Sequence, residues 1–247
     1  FCGVHFMAET AKILSPEKTV LLPDLHAGCP MADMITAGQL RELKAKHPGA
    51  KVVCYVNTSA EVKAECDLCC TSANAVKMVG EVLKDSPEII FVPDRYLAAY
   101  VESQTGRTMI KWEGYCPTHA KILPQHIEEQ RAQHPEAVVV IHPECRPETI
   151  RMADKVASTE GMTRYVNETK AREIIVATES GIIHRMQKEN PGKVFYPVSR
   201  LAVCPNMKMI NLEKVLWALE DMQHVVEVPA DIAGKARASI QRMLDFS

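Results

Sequence analysis

Three cysteines of this 247-residue sequence are each followed by proline: Cys29-Pro30, Cys116-Pro117 and Cys204-Pro205. The intervals between them are 87 and 88 residues, and none of the other six cysteines has proline after it. Near-equal spacing predicts duplicated units with a thiol at the same place in each, so that three sulfurs meet at one point. Three thiolates are one ligand short of a closed site, and an open position is what a Lewis-acid catalyst requires. Structural zinc usually draws on tight C-x₂₋₄-C pairs, whereas three widely separated sulfurs fit an iron–sulfur cluster with one iron left open. The bland alternative is duplicated core packing, since free cysteine is among the most buried residue types. Cys66-x-x-Cys69, with Cys70 beside it, offers one tight pair, but no second pair or nearby His pair completes it.

The repeat is not confined to cysteine. His47-Pro48-Gly49-Ala50 leads into Val52-Val53, and His134-Pro135-Glu136-Ala137 leads into Val138–Ile141, again 87 residues on. Tyr55 and Asn57 end the first run; His142 and Glu144 end the second at the same offset. Two residues apart at a strand end, His142 and Glu144 point to one face and can move protons together. The bland alternative for them is a solvated loop. Tyr55 and Asn57 bring a phenol and an amide, donors suited to a carbonyl or carboxylate, although Tyr55 could equally be a core aromatic. Thr71-Ser72 answers Ser158-Thr159. Ser72, Ser158 and Thr159 each precede a helical pattern, where hydroxyls and free helix N–H groups make either an ordinary N-cap or an anion site. A fixed period of this kind signals internal duplication, and at this length it predicts a ring of small domains rather than a solenoid.

The elements that must hold these residues alternate. Strands are predicted at Thr19–Leu22, Val52–Val56, Ile89–Val92, Thr108–Lys111, Val138–His142, Glu173–Ala177, Lys193–Tyr196 and Val225–Val228. Helices are predicted at Ala37–Ala45, Asn74–Leu83, Tyr96–Ser103, Gln125–Gln133, Ile182–Lys188, Leu212–Met222 and Ala230–Leu244, with another near the start of the chain. Continuous apolar runs such as Val138–Ile141 imply parallel strands covered on both faces by helices. Each period has room for about three β-α steps. Each Cys-Pro follows a predicted strand by a short loop, where ligands of open α/β sheets collect. Proline at a first helical position would leave the cysteine at an N-cap, a place that favours thiolate.

Net charge of −2 and a pI near 6.5 leave no electrostatic footprint for nucleic acid or membrane. No apolar stretch approaches the ~18 residues of a membrane span, and no signal peptide is visible. Nine cysteines, two of them adjacent, fit a reducing cytosol better than a secreted disulfide framework. The sequence starts at Phe1, without methionine, and is read as a fragment lacking its natural N-terminus.

Across essentially all its length the sequence resembles the quinolinate synthase family. The segments that carry the resemblance are Phe6-Met7-Ala8-Glu9-Thr10-Ala11-Lys12-Ile13-Leu14, Tyr55-Val56-Asn57-Thr58-Ser59, Thr71-Ser72-Ala73-Asn74-Ala75, His142-Pro143-Glu144-Cys145, Ala157-Ser158-Thr159-Glu160-Gly161-Met162 and Cys204-Pro205-Asn206-Met207-Lys208-Met209. The resemblance implies an α/β fold of three similar αβα domains with short parallel sheets around a pseudo-threefold axis. Residues 29–115 and 116–211 would form two of them, and 1–28 with 212–247 the remainder of the first. It implies condensation of iminoaspartate with dihydroxyacetone phosphate to quinolinate, with loss of phosphate and two waters. It implies a [4Fe-4S] cluster on Cys29, Cys116 and Cys204, a catalytic role for Glu144, His142 and Tyr55, and substrate binding by these three with Asn57, Ser72, Ser158 and Thr159. Cys145 is off the repeat register and lacks the proline, so it is left out. A functional link to L-aspartate oxidase follows, as does an upstream segment with a His-x-Tyr motif that this sequence does not contain. Two other readings stay open: an open-iron hydro-lyase on another small acid, and a non-catalytic iron–sulfur or zinc protein. A proton-moving His142/Glu144 pair argues against the second.

Overall fold

The computed structural model describes residues 1–247. Two four-stranded sheets, parallel throughout, organise it. The first contains β1 (Lys51–Tyr55), β2 (Leu68–Cys70), β3 (Ile89–Val92) and β4 (Ile110–Lys111), in the order β2-β1-β3-β4. The second contains β5 (Val138–Ile141), β6 (Lys155–Val156), β7 (Glu173–Ala177) and β8 (Val194–Pro197), in the order β6-β5-β7-β8. The two orders are the same. The register repeats as well: Lys51 faces Ile89 in one sheet and Val138 faces Ile174 in the other. The fold is therefore α/β with a repeated αβα unit.

The helices are α1 (His5–Leu14), α2 (Ala37–Lys46), α3 (Ala60–Ala64), α4 (Ala75–Lys77, widening into a π turn at Met78–Val82), α5 (Arg95–Thr105), α6 (Pro117–Ala120), α7 (Pro124–Gln133), α8 (Pro147–Ile150), α9 (Thr159–Glu168), α10 (Ile182–Glu189), α11 (Leu212–Glu220) and α12 (Ala230–Asp245). Helix α7 is α2 displaced by 87 positions at both ends. Helices α2, α7 and α11 each begin eight residues after a Cys-Pro cysteine. Local chemistry sets the ends. Thr36 and Gln39 form a reciprocal capping box on α2, and Gly106, at φ 69°, closes α5 in the left-handed region where a side chain is disfavoured.

The β-branched runs work as expected of strands buried on both faces. In the second sheet Val139 and Ile141 join a core with Ile122, Ile127 and Ile175, while Val140 turns to the opposite core with Met162, Val166 and Val176. That alternation is the two-residue period of a strand. The first sheet shares one large core with α12 through Ala236, Ile240 and Met243. No helix is long and apolar enough to cross a membrane.

The structure corrects four expectations. Thr19–Leu22 and Val225–Val228 are not sheet strands; they meet in one antiparallel bridge, Leu21 to Val225. Neither has a parallel neighbour to extend its ladder. Each unit holds four strands rather than three, because β2 and β6 are only three and two residues long and carry no periodic signal. Thr108–Lys111 shortens to β4, and the helix expected over Asn74–Leu83 is broken by the π turn.

Candidate active site

Tyr55 is the last residue of β1, and His142 and Glu144 follow the end of the equivalent strand β5. Loops beyond strand ends in the two sheets thus face each other. The Tyr55 hydroxyl donates to Glu144 Oε1 at 2.6 Å. His119 Nδ1 lies 2.9 Å from Glu144 Oε2, and His142 Nδ1 3.8 Å from Oε1. Tyr55, His142 and Glu144 are buried. Burial alone would raise the Glu144 carboxyl, but the two histidines and the bonds from His119 and Tyr55 outweigh it and bring it down to about 2. Burial lowers His142 to about 4, against the pull of Glu144. At neutral pH His142 is therefore uncharged, and the carboxylate rests on its donors. The Glu144 amide donates to His142 Nδ1 at 3.3 Å, which places the His142 proton on Nε2. The phenol of Tyr55 is raised well above its usual range by burial first, then by Glu144.

His119 is the residue that repeat reasoning passes over. It stands three residues after Cys116 on α6, where its counterparts after Cys29 and Cys204 are Ala32 and Met207. A group present in only one unit leaves no periodic trace; the Cys-x-x-His spacing at a helix start was the available signal. Its ring stacks on His142 at 4.7 Å between centroids, its Nε2 is 2.8 Å from Thr178 Oγ1, and its Nδ1 is 3.1 Å from Cys116 Sγ. With Nε2 placed to accept from Thr178, the Nδ1 position is left to face Glu144.

The three Cys-Pro loops converge on this group. Asn206, two residues after Cys204, donates its amide to Gly28 O at 2.9 Å, one residue before Cys29. Trp112 donates to Met34 O at 2.8 Å and ties the Cys116 loop to the Cys29 loop. Each of the three thiols is free and partly buried. Cys116 N-caps α6 with Pro117 in the first turn, as expected, whereas Cys29 and Cys204 precede short 3₁₀ turns without capping them. The expected lowering does not occur at Cys29 or Cys116. Burial pushes Cys29 up to about 11, with Glu144 and Cys204 adding to it, and burial followed by Glu144 raises Cys116 too. Desolvation outweighs a few helix amides; converging soft donors of this kind ionise when a cation occupies the site. The donor set therefore fits an iron–sulfur group. Cys116, His119 and Glu144 also lie with ligand atoms within 4.8 Å of one another, a set that suits a single zinc.

The remaining candidates divide. The Ser72 hydroxyl lies beside the Tyr55 phenol and favours its ionised form. Asn57 is half-buried two residues beyond Tyr55. Ser158 accepts from the Gly161 amide at 3.2 Å and so caps α9, and Thr159 is its exposed first residue. Cys145 is a core residue whose thiol donates weakly to Ala177 O at 3.7 Å. Cys69 and Cys70 lie on β2 in the first core, and the Cys66 thiol donates to Val62 O. A hollow of about 280 Å³ between α2, α3 and α12, lined by Arg41, Glu65, Asp231 and Lys235, contains none of these groups.

The family described as quinolinate synthetase A protein matches residues 1–245. The quinolinate synthase of Dehalococcoides mccartyi is 57% identical over 244 residues, covering 99% of this chain and 80% of that protein. Those of Methanosarcina barkeri and Thermodesulfovibrio yellowstonii are 54% and 52% identical with the same coverage. A chain matched over this length and at this identity belongs to the quinolinate synthase family of enzymes.

Proposed function

We propose that the chain condenses iminoaspartate with dihydroxyacetone phosphate to quinolinate, with loss of phosphate and two waters, at a [4Fe-4S] cluster bound by Cys29, Cys116 and Cys204. The observation that carries this reading is the buried Tyr55–Glu144–His119 network lying where the three Cys-Pro loops converge. An iron without a protein ligand would supply a Lewis acid for a departing hydroxyl.

The chain's own groups do the proton work. Glu144, ionised at neutral pH, takes a proton from the condensing substrates and passes it along the 2.6 Å hydrogen bond to the Tyr55 oxygen as the phenol gives its own proton to a departing oxygen. Neutral His142 offers Nε2–H to a carbonyl or leaving oxygen. Asn57, Ser72, Ser158 and Thr159 supply amide, hydroxyl and helix N–H groups for the carboxylates and the phosphate. Burial of the carboxylate and both histidines keeps water from competing for these protons. We assign residues 29–115 and 116–211 to two αβα domains, and 1–28 with 212–247 to a further one. The reading places the enzyme in the cytoplasm, next in sequence to an L-aspartate oxidase that makes iminoaspartate.

A second reading follows from the Cys116, His119 and Glu144 set: a mononuclear zinc site. Iron, sulfide and zinc analysis of anaerobically purified protein, with an assay for quinolinate, separates the two. Four irons and four sulfides with quinolinate formed support the first; one zinc and no sulfide would replace it.

A further inference from the structure

Equivalent strands β3 and β7 are each followed by a carboxylate at the same place. Ile89 and Ile174 hold the same register position, and Asp94 and Glu179 stand five residues beyond them. What surrounds the two carboxylates also repeats. The amide after Asp94, of Arg95, donates to Gly114 O at 2.8 Å; the amide after Glu179, of Ser180, donates to Ala202 O at 2.8 Å. Gly114 and Ala202 are each two residues before a Cys-Pro cysteine. Asp94 Oδ1 accepts from the amide two residues on, Tyr96, at 2.7 Å, and Glu179 Oε2 accepts from Gly181 at 2.8 Å. The remaining oxygen of Glu179 meets the cysteine. Glu179 Oε1 accepts from the Cys204 amide at 3.4 Å and is held by Lys208 at 3.1 Å. Asp94 Oδ2, the equivalent atom by position, is buried with no hydrogen-bond partner, and burial followed by Glu144 raises this carboxyl well above its usual range, against a smaller pull from amides that include that of Cys116.

The first cysteine has the same main-chain joint without the carboxylate. The His5 amide donates to Ala27 O at 2.9 Å, two residues before Cys29, but the preceding residue is Val4, which caps nothing. Duplication has thus kept the joint three times and the carboxylate twice.

We propose that Asp94 and Glu179 are paired positioning residues that fix the main chain at Cys116 and Cys204 for the cluster, and that Cys29 carries no such anchor. The inference rests on the cluster reading above. A carboxylate that occupies a cysteine's amide keeps that N–H from turning toward the sulfur, and hydrogen bonds to sulfur help set a cluster's potential. Groups that orient ligands in this way typically matter by ~10–100-fold in metal affinity.

The test uses the full natural protein, reconstituted anaerobically. Asp94→Asn and Glu179→Gln keep an acceptor at full reach. Asp94→Ser keeps the cap on α5 and Glu179→Asp keeps the charge, but each is too short to reach the cysteine amide. The shortened variants should lose iron to a chelator about tenfold faster than the parent and shift its midpoint potential upward. The full-length replacements should stay near the parent in both. Shortened variants that match the parent in both readouts would overturn the anchor while leaving the cluster in place. A parent that takes up no iron would overturn the cluster reading, and the anchor with it.

Discussion

The Tyr55 hydroxyl donates to Glu144 Oε1 at 2.6 Å, joining the end of a strand in one sheet to the loop beyond its counterpart in the other. The positions are related but not equivalent. Tyr55 corresponds to His142 and Asn57 to Glu144 under the 87-residue repeat, so the bond crosses between the first member of one pair and the second of the other. Duplication supplied two similar strand ends, and divergence of their side chains turned the space between them into a proton-handling site.

Removing that hydroxyl should be felt in stability and rate. Tyr55→Phe leaves a buried carboxylate with one donor fewer, a loss of about 1.5–3 kcal/mol for a bond to a charged group. Denaturant titration measures the first effect. Quinolinate formation should fall by about 10²-fold. A variant with parental stability and rate would remove Tyr55 from the network.

Glu144→Gln keeps the volume and can still meet Tyr55, but it cannot take a proton. Iron and sulfide content should equal the parent's, while turnover drops by about 10²-fold or more. Near-normal turnover would assign the proton transfer to another group.

His142 makes stability depend on pH. Its folded value, about 4, is below the 6.5 of the free side chain, so the unfolded chain binds the extra proton between those values. Stability from this residue is complete above pH 6.5 and is lost as pH falls toward 4, by up to about 3 kcal/mol. Glu144, also lowered in the folded state, loses its contribution in the same direction below its ordinary 4.5. Denaturation midpoints of the parent should fall across pH 6.5–4, and those of His142→Gln should be flatter there. Equal slopes would show that His142 is not buried neutral.

Much of this site was legible because it is periodic. Cys29, Cys116 and Cys204 repeat, as do the His-Pro turns before β1 and β5, and apolar runs at Ile89–Val92 and Glu173–Ala177 coincide with β3 and β7. What was not legible is what breaks the period or is too short to show one. His119 occurs in one unit only. The equivalent strands β2 and β6 are too brief for alternation to register. The segment 225–228 has strand composition but lies in one bridge, since composition does not reveal whether a neighbour is present. Thiol ionisation is not legible in the sequence because burial around Cys29 and Cys116 depends on how three loops meet.

The most direct measurement is iron and sulfide per chain in anaerobically reconstituted protein with single cysteines replaced. Cys29→Ser, Cys116→Ser and Cys204→Ser should each abolish the brown absorption and leave well under four irons, while Cys66→Ser, Cys69→Ser, Cys70→Ser and Cys145→Ser should retain the parent's content. A full cluster in Cys116→Ser, or its loss in Cys145→Ser with the Cys-Pro set intact, would contradict a site built from the three repeated thiols.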